Sequence, residues 1–326
     1  MKFSHQPIVA QAECLKSLNR ECIYSSLRHV LDVCRDVLDE GTLSSVDSFI
    51  KDSNQKKYSS GFLFYIINEI GININSENID NINLYFNLLG RNIMPNSKII
   101  IGNQDNIDID LFVLYENIND DVYNFTCIPV SEDKSHTLSE KIVNSLDYIN
   151  VIDSDLYGEI ITIVDEFFIF KASNLFGNEV VYSGSDFHKL GTVFINEETC
   201  DEDKYFIVEK IIHESAHQML LSIMIHDEIV LNPDYEKYPS PLRTGLRTMN
   251  GIYHAAFVLY RISAFFYKIY HSDKSDSKAL SYLKKNINQF DDCHSVIKTH
   301  GDLTVLGKEI IANCKNEIEG FKNELH

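Results

Sequence analysis

His213 and His217 stand four residues apart in the run KIIHESAHQMLL (210–221), with Glu214 directly after the first histidine. On an α-helix that spacing sets two imidazoles on one face, one turn apart, where both can face a single metal ion. Glu214 projects about 100° round the helix from His213. Its carboxylate can therefore reach a metal-bound water without ligating the metal. The flanking residues are apolar, with Phe206, Ile207, Val208, Ile211 and Ile212 before the motif and Met219, Leu220 and Leu221 after it. Two imidazoles and a carboxylate buried there without partners cost several kcal/mol, and a bound metal removes that cost.

This HExxH pattern is the arrangement of zinc metallopeptidases. Two side chains seldom hold a catalytic ion, so a third ligand is expected downstream. His226 follows His217 by nine residues with no glycine to turn the chain back, which puts it on a different face of a continued helix. The apolar segment 251–270 holds neither Glu nor Asp, but it does hold His254, among Ile252, Ala255, Ala256, Phe257 and Val258. A lone histidine on an apolar helix is ordinarily a core residue. The unfilled ligand position reverses that preference, and His213, His217 and His254 are the expected metal ligands.

The intervening loop supplies Ser240, Arg243 and Arg247. Arginines four apart at a loop-to-helix junction can simply be solvated, but so close in sequence to a metal ligand they suit a carboxylate, which a guanidinium engages through two hydrogen bonds. Arg261 lies seven residues after His254, and burial beside Tyr260, Phe265 and Phe266 calls for an anionic partner; it ranks third among the arginines.

Behind these residues the pattern predicts a helix from about Asp203 to Ile225, another from about Gly251, and amphipathic helices near 276–290 and 305–323. The strand GTVFIN (191–196) precedes the metal helix; at the border of a cleft its free edge could add to an extended peptide, and as an ordinary core strand it would not. A helix is expected in DLYGEIITIVDEFFIFKAS (155–173). Residues 8–40 read as helical, with Leu15, Leu18, Cys22, Leu27, Val30, Leu31 and Leu38 on one face, and GFLFYIINEI (61–70) continues in that style. KIIIG, DIDLFVLYE and VYNFTCIPV, between about 98 and 130, suit a small sheet or hairpins. The expected class is α+β, predominantly helical, with a zincin-like HExxH helix beside a small sheet. Residues 1–140 form a helical and β accessory region suited to peptide recognition, and residues 141–326 form the metal-binding catalytic domain.

The chain of 326 residues carries 29 basic against 48 acidic side chains, a net charge of −19 that argues against nucleic acid or an anionic membrane and suits a basic peptide. Seven scattered cysteines, an odd number without a Cys-x-x-Cys pair, point to reduced thiols in a cytoplasm. The amino terminus lacks the apolar stretch of a signal peptide. The segment IYHAAFVLYRISAFFYKIY (252–270) is broken by His254, Arg261 and Lys268, so it reads as a buried helix instead of a membrane span.

Strand, HExxH helix, YPSPLRTGLRTMNG and IYHAAFV together resemble the bacterial HExxH proteins that modify ribosomally synthesised peptides, over about residues 140–270. The family pattern has Arg-Pro where this chain has Arg247-Thr248. Members of that family look like iron(II)- and 2-oxoglutarate-dependent peptide hydroxylases. The resemblance implies iron at His213, His217 and His254, one arginine of the Arg243/Arg247 pair on a 2-oxoglutarate carboxylate, Glu214 orienting a ligand or water, and a ribosomal precursor peptide as substrate. Imidazoles suit iron as well as zinc, and three protein ligands leave positions for an oxo acid and dioxygen. The alternative is a zinc metallopeptidase with Glu214 as general base, His254 completing the site and Tyr253 or Tyr260 as transition-state donor. A third reading is a non-catalytic binder of leader peptides.

Overall fold

A computed structural model describes residues 3–91, 93–103, 105–119, 124–172, 180–242 and 244–325. The chain divides into two compact units, each built from separated segments. A sheet unit comprises 14–139 and 164–200, and a helical unit comprises 1–13, 140–163 and 201–326. The chain first enters the sheet unit at 13/14; the passages at 139/140, where the sequence changes texture, at 163/164 and at 200/201 each return it to a unit it has already visited.

The sheet unit carries most of α1 (Val9–Val33), then α2 (Glu40–Gln55), α3 (Gly61–Asn75), α4 (Ile79–Gly90), β1 (Ile99–Ile101), α5 (Ile109–Tyr115), β2 (Asn117–Asn119) and β3 (Asn124–Ile128). After the chain returns it adds β4 (Glu166–Ala172), β5 (Ser183–Gly184) and β6 (Thr192–Asn196). β4 is the axis of the mixed sheet. It pairs parallel with β1 over Phe167–Ile169, antiparallel with β3 over Lys171–Ala172, and parallel with β6 along its other side. Phe167, Phe168, Ile169 and Phe170 are all fully buried, as a strand covered on both faces requires.

At the start of β4 a buried carboxylate ties the sheet to a helix. Glu166 accepts hydrogen bonds from the Gly61 amide (2.8 Å) and from the hydroxyls of Thr192 (2.6 Å) and Ser60 (3.2 Å). Ser60 is the N-cap of α3, so the carboxylate lies against the positive end of that helix. Gly61 has no alternative here, since a Cβ would come within 2.0 Å of Thr192 Oγ1 and 2.6 Å of the Tyr115 hydroxyl. Burial, with the charge of Asp165 adding to it, raises the Glu166 carboxyl to about 7 against the pull of its donors.

The helical unit takes up most of α6 (Glu132–Ile152), α7 (Ser154–Ile163), α8 (Lys204–Met224), the short hairpin of β7 (Tyr238–Pro239) and β8 (Leu246–Arg247), α9 (Met249–Ser272), α10 (Ser277–His300) and α11 (Val305–Glu324). α9 is its centre: α8, α10 and α11 pack against it, and Ile252, Tyr253, Ala256, Phe257, Val258, Ile262, Phe265 and Phe266 are buried on almost every side of it. Each large side chain so buried contributes about 1.5–3 kcal/mol. No helix among the described residues is long and apolar enough to cross a membrane, α9 included.

The structure is α+β and predominantly helical, and it departs from the sequence-based expectation in four places. DIDLFVLYE is helical, not β: Asp108 caps α5 by accepting from the Asp110 amide, and Leu111, Phe112 and Tyr115 bury one helical face. The helix expected through 155–173 ends at Ile163, and the run from Glu166 is the central strand β4. Cys22 is exposed, and Ile23 and Tyr24 fill the core in its place. β6 is flanked by β4 on one side and by β5 on the other at Phe194 and Ile195. The free edge that an extended peptide would need is taken there.

Candidate metal centre

α8 starts where Asp203 caps it, its carboxylate accepting from the amides of Tyr205 and Phe206. Ile207, Val208, Ile211, Ile212, Met219, Leu220 and Ile223 bury the helix, and the chemistry-bearing residues lie among them. Glu214 is buried, and His213 and His217 are half-buried. The ligand atoms of these three side chains all lie within 4.8 Å of one another, a grouping that could hold a metal ion. Glu214 belongs to the same grouping and can act either on a ligand or as one.

α9 brings a further histidine beside His217, outside the His213–Glu214–His217 grouping. Thr248 caps it, accepting from the Gly251 amide at 3.0 Å, and His254 follows in the second turn. His254 Nδ1 lies 3.1 Å from His217 Nδ1, and the rings are nearly parallel with centroids 5.4 Å apart. Two nitrogens bound to one ion at about 2.1 Å stand roughly 3.0–3.4 Å apart at angles between square and tetrahedral, so the spacing suits a shared metal as well as the N–H···N hydrogen bond that joins the rings here. Burial, helped by the positive charge of Arg247, lowers His254 to about 4. It is therefore neutral near pH 7, the form that ligates.

Glu209 was not singled out from the sequence. It stands one turn before His213 on α8, with its carboxylate 3.8 Å from His213 Nδ1 and 3.0 Å from the Lys210 ammonium. Burial alone would raise this carboxyl, but the interactions with His213 and Lys210 bring it down to about 2. A carboxylate on the Nδ1 side of His213 stands where an outer carboxylate would orient a ligating histidine. The acid four residues before the first histidine was the available signal.

The arginines separate. Arg247 is half-buried on β8, paired with Tyr238 across the hairpin, and close enough to His254 for its charge to be felt there. Ser240 closes the same hairpin, its amide donating to the Gly245 carbonyl at 3.0 Å, and Gly245 supplies the positive φ of 118° that the turn needs. Arg243 lies outside the described residues. Arg261 has the anionic partner that its burial called for, but the partner belongs to the protein: Glu159 of α7, at 2.9 and 3.1 Å from the guanidinium nitrogens. Arg261 is thereby engaged away from any oxo acid.

Tyr253 and Tyr260 are likewise committed. The Tyr253 hydroxyl donates to the Gly307 carbonyl at 2.8 Å and that of Tyr260 to Glu317 at 2.6 Å. His226 is exposed beyond the end of α8; it lies outside the His213–Glu214–His217 grouping, as His254 does, but His254 stands beside His217. No family model matches the chain, and no curated protein matches it significantly.

Proposed function

We propose that the chain is a non-haem iron(II)- and 2-oxoglutarate-dependent hydroxylase of a peptide side chain, with a zincin-like metal helix, and that the peptide is ribosomally made. The observation that carries this reading is the convergence of His217, His254 and Arg247: two nitrogens at ligand spacing, with a guanidinium near enough to shift one of them. Iron held by His213, His217 and His254 would supply dioxygen activation. Arg247 would bind a carboxylate of the oxo acid through paired hydrogen bonds, and Ser240 fixes the hairpin that presents it. Glu214 accepts a hydrogen bond from a ligand or water and so orients it. Glu209 holds the His213 ring. The excess of acidic side chains favours a basic peptide.

A zinc metallopeptidase is the second reading, and the closeness of the Glu214 carboxylate to both imidazoles of its helix favours it. There Glu214 takes the proton of the attacking water. The engagement of both Tyr253 and Tyr260 elsewhere removes the transition-state donors such a peptidase would draw from α9.

Anaerobic titration of the iron(II)-loaded protein with 2-oxoglutarate separates the two. A saturable visible charge-transfer band is expected for the hydroxylase. Bound iron without a band favours hydrolysis.

A further inference from the structure

His254 presents its two ring nitrogens to two residues of α8. Nδ1 lies 3.1 Å from His217 Nδ1, and Nε2 lies 3.1 Å from Met224 Sδ. His217 and Met224 are seven residues apart on that helix, two turns along one face, and the imidazole is held between them. A thioether sulfur has no proton to give; it can only accept. The contact is therefore favourable when Nε2 carries the ring proton. A neutral imidazole has one N–H, which leaves Nδ1 as the lone-pair atom, facing His217.

We propose that Met224 is a positioning residue of the metal centre: its sulfur accepts a hydrogen bond from His254 Nε2–H and so selects the tautomer whose open nitrogen, Nδ1, faces the ion. This rests on the reading of His213, His217 and His254 as the ligands. In the metal-free chain the same tautomer accepts from His217 Nδ1–H. With a metal in the shared position the His217 ring would carry its proton at Nε2 in place of Nδ1, and so would stay neutral. Ligating histidines are ordinarily oriented by a carboxylate or a carbonyl. A thioether does the same service without adding negative charge.

The test uses the full-length chain labelled with ¹⁵N-histidine, with His254→Ala identifying the His254 signals. Long-range ¹H–¹⁵N spectra of the metal-free protein are expected to show the Nε2–H tautomer. Met224→Leu conserves volume but has no acceptor; it should give a tautomer mixture and weaken iron(II) and zinc(II) binding by roughly 10- to 100-fold. Met224→Gln, whose amide oxygen can accept, should retain the wild-type tautomer and most of the affinity. An Nδ1–H tautomer in the wild type, or a Met224→Leu protein with unchanged tautomer and affinity, overturns the role of the sulfur. Failure of the wild type to bind either metal overturns the metal-centre reading itself, and the two failures are told apart because the tautomer is read without metal.

Discussion

His217 Nδ1 and His254 Nδ1 face each other at 3.1 Å across 37 residues of sequence, joining the HExxH helix to the apolar helix that follows it. His254→Ala should therefore abolish tight metal binding, measured by calorimetry and elemental analysis. His226→Ala should leave it intact, since His226 is exposed past the helix end. The reverse pattern would sink the three-histidine assignment.

Arg247→Ala should weaken 2-oxoglutarate binding far more than iron binding, because a guanidinium contributes to an anion and not to a cation. A bidentate charge-assisted contact is worth about 1.5–3 kcal/mol, or roughly 10- to 150-fold in affinity. Equal 2-oxoglutarate affinity in the variant removes Arg247 from the oxo-acid site. Arg247→Lys should recover only part of the loss, since a point charge lacks the fork.

Glu214→Gln distinguishes the two chemistries. In a hydroxylase the amide oxygen still accepts a hydrogen bond, so turnover should slow without vanishing. In a peptidase the general base is gone and turnover should stop. Product analysis on a basic peptide, with the iron and zinc forms compared, reads the difference.

The Arg261–Glu159 pair is buried on both sides, at 2% and 4% side-chain exposure. Arg261→Leu alone strands a buried carboxylate and should cost about 3–5 kcal/mol of stability. Arg261→Leu with Glu159→Leu should recover most of that loss in denaturant unfolding. If the single variant alone loses oxo-acid binding while remaining folded, Arg261 has a second role that the Glu159 contact does not account for.

Glu166 sets a pH dependence of stability. Its folded-state carboxyl is raised, chiefly by burial, from the ordinary 4.5 to about 7. The folded protein thus binds more protons than the unfolded chain between those values, and this contribution to stability is present below about pH 4.5 and is lost as pH rises through about 7. Glu166→Gln keeps an acceptor for Gly61, Thr192 and Ser60 and should flatten the dependence. Unfolding midpoints across that window check it.

The helical character of the chain and the placement of α8 and α9 were legible in the sequence, because Asp203 and Thr248 can cap helices ahead of long apolar runs. The strand at Thr192–Asn196 was legible for a similar reason, a short β-rich run bounded by glycine. FVLY in α5 and EFFIFKA in β4 exchanged their expected states. Both runs are apolar and aromatic, and short runs of that kind carry no period that separates helix from strand. In the candidate site, the HExxH spacing marked the His213–Glu214–His217 grouping; the acid-free helix pointed to His254, which stands beside His217 but outside that grouping. Glu209 and Met224 escaped because nothing in one dimension shows which nitrogen of a histidine a neighbour will touch. The partner of Arg261 escaped because Glu159 is 102 residues away.

β4 takes β1 along one side and β6 along the other, with some 65 residues of chain between β1 and β4. During synthesis the first strand must therefore wait, with its edge unpaired, until the ribosome has delivered β4, and β4 in turn waits for β6. The helix that carries His213 and His217 emerges only after that. A shortened protein beginning at residue 141 would carry β4 without β1 or β3, leaving one side of its most apolar strand open to other chains. Recombinant dissection near residue 140 should give inclusion bodies where the intact chain folds, and the useful cuts are those that keep the first strand and the fourth on one polypeptide.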